Sequence, residues 1–197
     1  MKSTRAAVAL VVVLGLAGAA PPADGGTVCN ATPIEIPWGF VTIPVVVTGG
    51  GWIQDVRVYL GVDHPRVGDL DVVLRRLFGG DLHDTEVFLR PGLNTNPPLG
   101  CTGDDVNAFF RDDAIAPAEE SCSEATGLTM GPFGPTEPFS AFFGQPVDGT
   151  WRLLVGDAEP DAQGQYLTWC LIWDALDLVF ADGFESGNTA AWSSVVP

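Results

Sequence analysis

The sequence contains almost no lysine and few basic residues of any kind. Its one lysine is Lys2, and nine Lys and Arg residues stand against 25 Asp and Glu, which gives a formal net charge of −16. Such a surface repels nucleic acid and anionic membranes, because both carry dense negative charge. The composition therefore argues against these two partners. It favours a protein that is soluble outside the cell and able to attract cations.

Histidine is also scarce, which limits the catalytic chemistry available. The chain has two histidines, His64 and His83. A Ser/His/Asp triad needs a histidine that faces a nucleophile, but neither lies in the His-Gly-Thr setting of subtilisin-like enzymes. No Gly-Thr-Ser or Gly-x-Ser-x-Gly segment supplies a nucleophile either. We therefore expect no enzymatic activity.

Only the N-terminus carries a long apolar run. Lys2 and Arg5 frame its basic head, residues 6–16 are apolar, and residues 17–19 are small. This order is typical of a secretory signal peptide, and the run is too short to span a bilayer as a mature helix. We predict a Sec-type signal peptide over residues 1–19 and a secreted or periplasmic bacterial protein. A short membrane anchor is the alternative.

The four cysteines match no zinc-site spacing. In an exported chain an even number predicts two disulfides, for which three pairings exist. We expect Cys101 to pair with Cys122, which pins one long loop. Cys29 would then pair with Cys170 and join the start of the domain to its last strand, since terminal strands of a closed sandwich often lie side by side.

No segment shows a helical apolar stripe, whereas short runs with a period of two recur between Gly, Pro and Asp. Period two is the spacing of a half-buried strand. The two clearest rows are Trp151, Leu153 and Val155, and Leu167, Trp169, Leu171 and Trp173. Further runs lie at residues 41–47, 56–62, 70–77, 86–90 and 106–111. The pattern predicts an all-β, jelly-roll-like antiparallel β-sandwich of about eight strands.

Composition also divides the chain. Residues 20–33 are expected to form a leader, of which residues 20–28 are rich in Pro and Gly and should be loose. The sandwich is expected over residues 34–176. Residues 177–197 form a C-terminal tail of different composition, similar to a short segment that ends secreted proteins of some Gram-negative bacteria.

Acidic pairs flank the run at residues 106–111. Asp104 and Asp105 precede it, and Asp112 and Asp113 follow it. Calcium takes six to eight oxygen ligands, several from carboxylates, and like charges this close need a counter-ion. We predict a calcium site here, which Asp157 could join from the end of its strand. Solvated or capping carboxylates are the alternative.

Aromatic residues outside the predicted strands are candidates for partner binding. If exposed, they would contact a sugar or a protein; if buried, they would close the ends of the sandwich. These residues are Trp38, Phe139, Phe142 and Phe143.

Several short segments, in this order, resemble the P domain (homo B domain) that follows the catalytic domain of kexin-like and bacterial subtilisin-like proteases. Residues 64–70, His-Pro-Arg-Val-Gly-Asp-Leu, are similar to its His-x-x-x-Gly-Asp-Leu element. Residues 110–114 are similar to its Phe-x-Asp-Asp/Glu-x-Ala element, and residues 138–173 to its closing half. The likeness covers residues 34–173. It departs before Thr85 and in the cysteine-bounded insertion before Gly131.

The resemblance implies an accessory role. In that family the domain packs on a subtilisin-like domain, supports its folding, stability and specificity, and carries no catalytic residue. Gly68 would adopt a backbone conformation closed to other residues. Asp69 would accept hydrogen bonds from turn amides or, alternatively, bind calcium.

We therefore expect a secreted, non-catalytic P/homo B-like β-sandwich module with calcium as its cofactor. It would mediate protein interaction or stabilise a subtilisin-like serine protease in trans. The alternative is a carbohydrate- or surface-binding jelly roll.

Overall fold

A computed structural model describes residues 24–78, 80–93, 96, 98, 100–160 and 163–176. The predicted signal peptide at residues 1–19 and the predicted tail at residues 177–197 lie outside the described residues. No helix within these ranges is long and apolar enough to cross a membrane.

Strands dominate the described chain, as its alternating pattern predicts. In order they are β1 (Asp24–Asn30), β2 (Ile34–Ile36), β3 (Gly39–Val47), β4 (Trp52–Asp63), β5 (Leu70–Phe78), β6 (Asp81–Leu89), β7 (Val106–Arg111), β8 (Leu128–Thr129), β9 (Gly149–Asp157) and β10 (Gly164–Leu176). One short helix, α1 (Ala118–Ser121), follows β7. Two 3₁₀ turns, at Val67–Asp69 and Phe139–Phe142, precede β5 and β9.

The strands form two sheets. The six-stranded sheet has the order β1-β10-β4-β7-β8, with β2 beside β10, and the four-stranded sheet has the order β3-β9-β5-β6. All pairs are antiparallel except β7 with β8. Neighbours in each sheet are mostly distant in sequence, because the chain crosses repeatedly between the sheets. The prediction of an all-β sandwich is confirmed.

The core lies between the two sheets. Trp151, Leu153 and Val155 on β9 and Trp169 and Leu171 on β10 are fully buried, as their period of two predicts. Each such side chain contributes roughly 1.5–3 kcal/mol by leaving water. Alternate residues of the other central strands complete the core, among them Val56, Val58, Leu60, Val72, Leu74, Ala108 and Phe110.

One member of the predicted β10 row faces the other way. Leu167 is 40% exposed, and Tyr166 is buried in its place. The pairing of β10 with β4 shifts register between Tyr166 and Thr168, which marks a β-bulge. A bulge inserts one extra residue and reverses the alternation beyond it, so the prediction for Leu167 was wrong.

The N-terminal segment also differs from expectation. Residues 24–30, which overlap the expected loose leader, form β1 and pair with Trp169 to Ala175 of β10. β2 pairs with the first residues of β10. Their Gly-rich or very short sequences show no apolar alternation, so the pattern did not predict them, and the described residues contain ten strands instead of about eight.

A charged side chain occupies one inner position. Arg76 follows Leu70, Val72 and Leu74 on the inner face of β5 and is fully buried. Its guanidinium lies 5.0 Å from the centroid of Trp151 and donates to the carbonyls of Pro146 and Asp148 and to Gln145 Oε1. Arg76 therefore anchors the loop before β9 to one end of the core.

Candidate functional site

His64 is held inside the sandwich. It follows β4 directly and is fully buried. Its Nδ1 atom lies 2.7 Å from the carbonyl oxygen of Arg66 and its Nε2 atom lies 3.4 Å from Asp157 Oδ2. A Cβ added at Gly164 would overlap the imidazole ring. Both ring nitrogens therefore face protein groups, and this geometry suits a structural role.

The segment after His64 is fixed by close backbone packing. Gly68 donates its N–H to the carbonyl of Cys101 at 2.9 Å, and a Cβ there would overlap the Cys101 backbone. Gly68 lies in a 3₁₀ turn, and its φ angle is not in the positive region. The expected unusual conformation was thus wrong: glycine is needed here for space, not for its φ angle.

Asp69 and Asp157 lie in the interior near this turn. Both are buried, and Arg66 Nη1 approaches Asp69 Oδ2 to 3.3 Å. Asp157 Oδ1 accepts the N–H of Glu159 at 3.0 Å, and the Ala158 N–H donates to the Asp69 carbonyl at 2.8 Å. These bonds tie the end of β9 to the start of β5.

The other four predicted ligands are divided by strand β7. Asp104 and Asp105 lie before it, and Asp112 and Asp113 lie after it, so an extended strand keeps the two pairs about 20 Å apart. Asp105 Oδ1 accepts the backbone N–H of His64 at 3.1 Å. Burial raises the pKa of Asp105, and the nearby Asp63 and Asp104 carboxylates raise it further.

Asp112 and Asp113 have different partners. The Asp112 carboxylate accepts the N–H groups of Phe139 and Ser140, each at 2.7 Å, and so caps the 3₁₀ turn Phe139–Phe142. Asp113 is exposed, with its Oδ1 3.0 Å from Arg111 Nε. A capping role for Asp112 is the alternative that the sequence had left open.

The six carboxylates therefore do not form one calcium site. Within the described ranges, no group of three or more His, Cys, Asp or Glu is placed to hold a metal ion. The length of the run at residues 106–111 was the available signal: as an extended strand, this run places the two aspartate pairs far apart. Calcium binding itself stays a prediction.

Both expected disulfides are confirmed. Cys29 and Cys170 are register partners on β1 and β10, with a Cα–Cα distance of 4.0 Å. Cys101 and Cys122 tie the segment before β7 to the residue after α1. Disulfides of this kind form in oxidising compartments, which is consistent with an extracellular or periplasmic protein.

Two of the four candidate aromatics are unavailable to a partner. Phe139 and Phe142 are fully buried, and the Phe142 ring centroid lies 5.0 Å from that of Trp151. Their 3₁₀ turn closes one end of the sandwich, so partner contact by these two rings is not supported. Trp38 is 72% exposed and Phe143 is 40% exposed.

Trp38 belongs to a larger apolar surface. It immediately precedes β3 and forms a bridge with Asp157. Phe40 is 55% exposed and lies over Gly156, where a Cβ would come within 2.7 Å of its ring. Val46 on β3 and Leu82 on β6 are also more than half exposed. We call these four residues, on the outer side of the four-stranded sheet, the apolar face.

Between its two ends, the same side of the sheet carries the charged residues Asp71, Arg75, Asp84, Glu86 and Arg152, whose formal charges sum to −1. The half-buried side chains of Val73, Leu77 and Leu154 lie on the same side of the sheet. Arg75 binds Asp84 through two contacts of 2.6 Å, and these hydrogen bonds lower the pKa of Asp84. The signal for this surface was present in β3, where outward Pro44 and Val46 alternate with inward apolar residues.

Comparison with known proteins gives only distant matches. No protein-family model matches the chain, and no curated protein matches its sequence. A complex of the Aeromonas sobria serine protease with its chaperone matches with a TM-score of 0.49 and 15% identity, over 80% of this chain and 28% of that chain. The Aeromonas sobria serine protease also matches, with a TM-score of 0.47 and 15% identity, over 79% and 28%. The chain thus spans less than a third of the length of these solved chains.

Proposed function

We propose that this chain is a secreted, non-catalytic β-sandwich module that binds a protein partner through its apolar face. The observation that carries the proposal is the exposure of Trp38, Phe40, Val46 and Leu82 on one side of the four-stranded sheet. Antiparallel sheets usually turn a polar side to water, so apolar side chains exposed at both ends of this side mark an interaction surface. The low net charge of this surface, within a chain of net charge −16, favours a protein over a charged ligand.

The partner we infer is a subtilisin-like serine protease, which the module would stabilise in trans. Support comes from the ordered P-domain-like segments of the sequence and from the sandwich in which they lie. The buried His64, with both ring nitrogens facing protein groups, is consistent with a non-catalytic role. The module would then act by covering part of its partner rather than by chemistry.

Binding to a secreted subtilisin-like protease of the same organism tests this proposal. We expect surface plasmon resonance to show a complex, and the double variant Trp38→Ala/Phe40→Ala to weaken it at least tenfold, because exposed aromatic anchors dominate such interfaces. The matched control is Ile115→Ala/Met130→Ala, which removes two side chains that are 100% and 93% exposed elsewhere. Equal weakening by both double variants, or no complex at all, would contradict the proposal.

A further inference from the structure

The outer side of the six-stranded sheet carries a pair of aromatic rings. Tyr59 on β4 and Phe109 on β7 are register partners, with ring centroids 5.0 Å apart and ring planes at 49°. Phe109 is 46% exposed. The Tyr59 hydroxyl donates to Asn107 Oδ1 at 2.9 Å, which fixes both side chains. The rings therefore stand preorganised on a rigid strand pair.

A hollow lies on each side of this ring pair. One, of about 220 Å³, is lined by Arg57, Phe109, Arg111, Pro132 and Ile172. The other, of about 190 Å³, includes Tyr59, Gly61, Asn107 and Thr168 in its lining. Within this hollow Gly61 packs closely on Thr168, since an added Cβ would lie 3.1 Å from Thr168 Cγ2. Arg57 and Gly61 lie about 13 Å apart along β4, so the two hollows together extend over more than one sugar ring.

Fixed polar groups surround the first hollow. Arg57 lies between two carboxylates, with Nε 2.8 Å from Asp55 Oδ2 and Nη2 2.6 Å from Asp174 Oδ2. Arg111 Nε lies 3.0 Å from Asp113 Oδ1. Two guanidinium groups and three carboxylates thus offer both donors and acceptors without a large net charge.

We propose that this ring-centred face, defined by Tyr59, Phe109, Asn107, Arg57 and Arg111, binds a soluble neutral oligosaccharide. A sugar presents C–H groups that stack on an aromatic ring, and hydroxyl groups at its edges that both donate and accept hydrogen bonds. The two arginines that line the first hollow are already paired with three carboxylates, so an anionic ligand would have to displace these ion pairs. Because the rings are inclined at 49°, they form no flat platform, which favours a single flexible chain over a flat crystalline surface.

Affinity electrophoresis of the secreted full chain tests the inference. The probes are soluble β-glucan, xylan and mannan in the gel, with crystalline cellulose in a separate pull-down. We expect at least one soluble polymer to retard the wild-type chain, and Phe109→Ala to weaken that binding at least tenfold. Asn107→Ala, at an exposed position, should weaken it as well and covers the case in which Phe109→Ala does not fold. Crystalline cellulose should not bind.

Two controls separate this face from other surfaces. Phe143→Ala, at an aromatic residue 40% exposed elsewhere, should leave the retardation unchanged. Trp38→Ala/Phe40→Ala should also leave it unchanged, so failure of this inference is distinguishable from failure of the proposed protein partner. Three results would overturn the inference. No polymer retards the wild-type chain, or Asn107→Ala and any folded Phe109→Ala are retarded as strongly as the wild type. The third is loss of protease binding in Asn107→Ala.

Discussion

At the scale of single residues, the structure assigns polar side chains to closing the ends of the sandwich. Arg76 anchors the loop before β9 from within the core, and Asp112 caps the 3₁₀ turn that covers Trp151. A buried arginine is tolerated because carbonyls and an aromatic ring replace its water. The role of Arg76 is not visible in the sequence, since it occupies a position where the alternation predicts an apolar residue, whereas capping by Asp112 was an alternative that the sequence left open.

Replacing Arg76 should therefore destabilise the fold. We expect Arg76→Met to lower the free energy of unfolding by about 2–4 kcal/mol, because it leaves the Pro146 and Asp148 carbonyls without their charged donor. The matched variant Arg152→Met, at a half-buried outward position of β9, should change it by about 0.5 kcal/mol or less. Urea unfolding measures both, and similar losses in the two variants would contradict the anchoring role.

The two adjacent aspartates after β7 should behave differently. Asp112→Ala removes the acceptor of two backbone N–H groups and should lower the free energy of unfolding by about 1–2 kcal/mol. Asp113→Ala removes only an exposed ion pair and should have an effect of about 0.5 kcal/mol or less. Thermal unfolding without added metal distinguishes them; a larger loss in Asp113→Ala would refute the capping assignment.

At the scale of elements, alternation in the sequence was sufficient for the central strands and insufficient where the backbone is irregular. The rows Trp151 to Val155 and Trp169 to Trp173 face the core as expected. The bulge beside Leu167 was missed because inserting one residue leaves no local mark in an apolar segment. β1 was missed because its stability comes from pairing with β10 and from the Cys29–Cys170 bond, not from its own side chains.

Tyr166, beside this bulge, makes the stability of the fold depend on alkaline pH. Burial raises the pKa of Tyr166 to about 12 from 10.0, and its hydroxyl donates to the Asn30 carbonyl. Because the folded-state pKa is the higher one, this stabilisation is complete below pH 10 and is lost as pH rises toward 12. We expect a loss of at most about 3 kcal/mol over that range.

Tyr166→Phe isolates this effect. The variant should unfold with a smaller pH dependence between pH 10 and 12 than the wild type, measured by urea unfolding at each pH. An unchanged slope in Tyr166→Phe would show that another group titrates.

At the scale of the whole molecule, the sequence predicted the sandwich and both disulfides but not the arrangement of its charges. The six aspartates predicted to bind calcium lie in separate places. Strand β7 separates Asp104 and Asp105 from Asp112 and Asp113, and Asp69 and Asp157 lie at strand ends of the other sheet. Exposure of aromatics was also undetermined, because burial depends on which turn folds over the end of the core. Phe142 and Trp38 illustrate the two outcomes.

This distribution bears on the calcium prediction. A ligand at one hundred times its dissociation constant would stabilise the fold by about 2.7 kcal/mol. The calcium prediction expects a melting temperature several degrees higher in excess calcium than in excess chelator, and equal melting temperatures in the two conditions would contradict it. A rise of several degrees in calcium that disappears in Asp112→Ala/Asp113→Ala would establish a metal site after β7.

The central claim is that a protein partner covers the apolar face. Hydroxyl-radical footprinting with mass spectrometry tests it without any substitution, by comparing side-chain oxidation of the free chain and of its mixture with the subtilisin-like protease. We expect oxidation of Trp38 and Phe40 to fall several-fold in the complex, while that of Phe109 and Met130 is unchanged. Protection of Phe109 with Trp38 and Phe40 unaffected would place the partner on the opposite sheet and contradict the account.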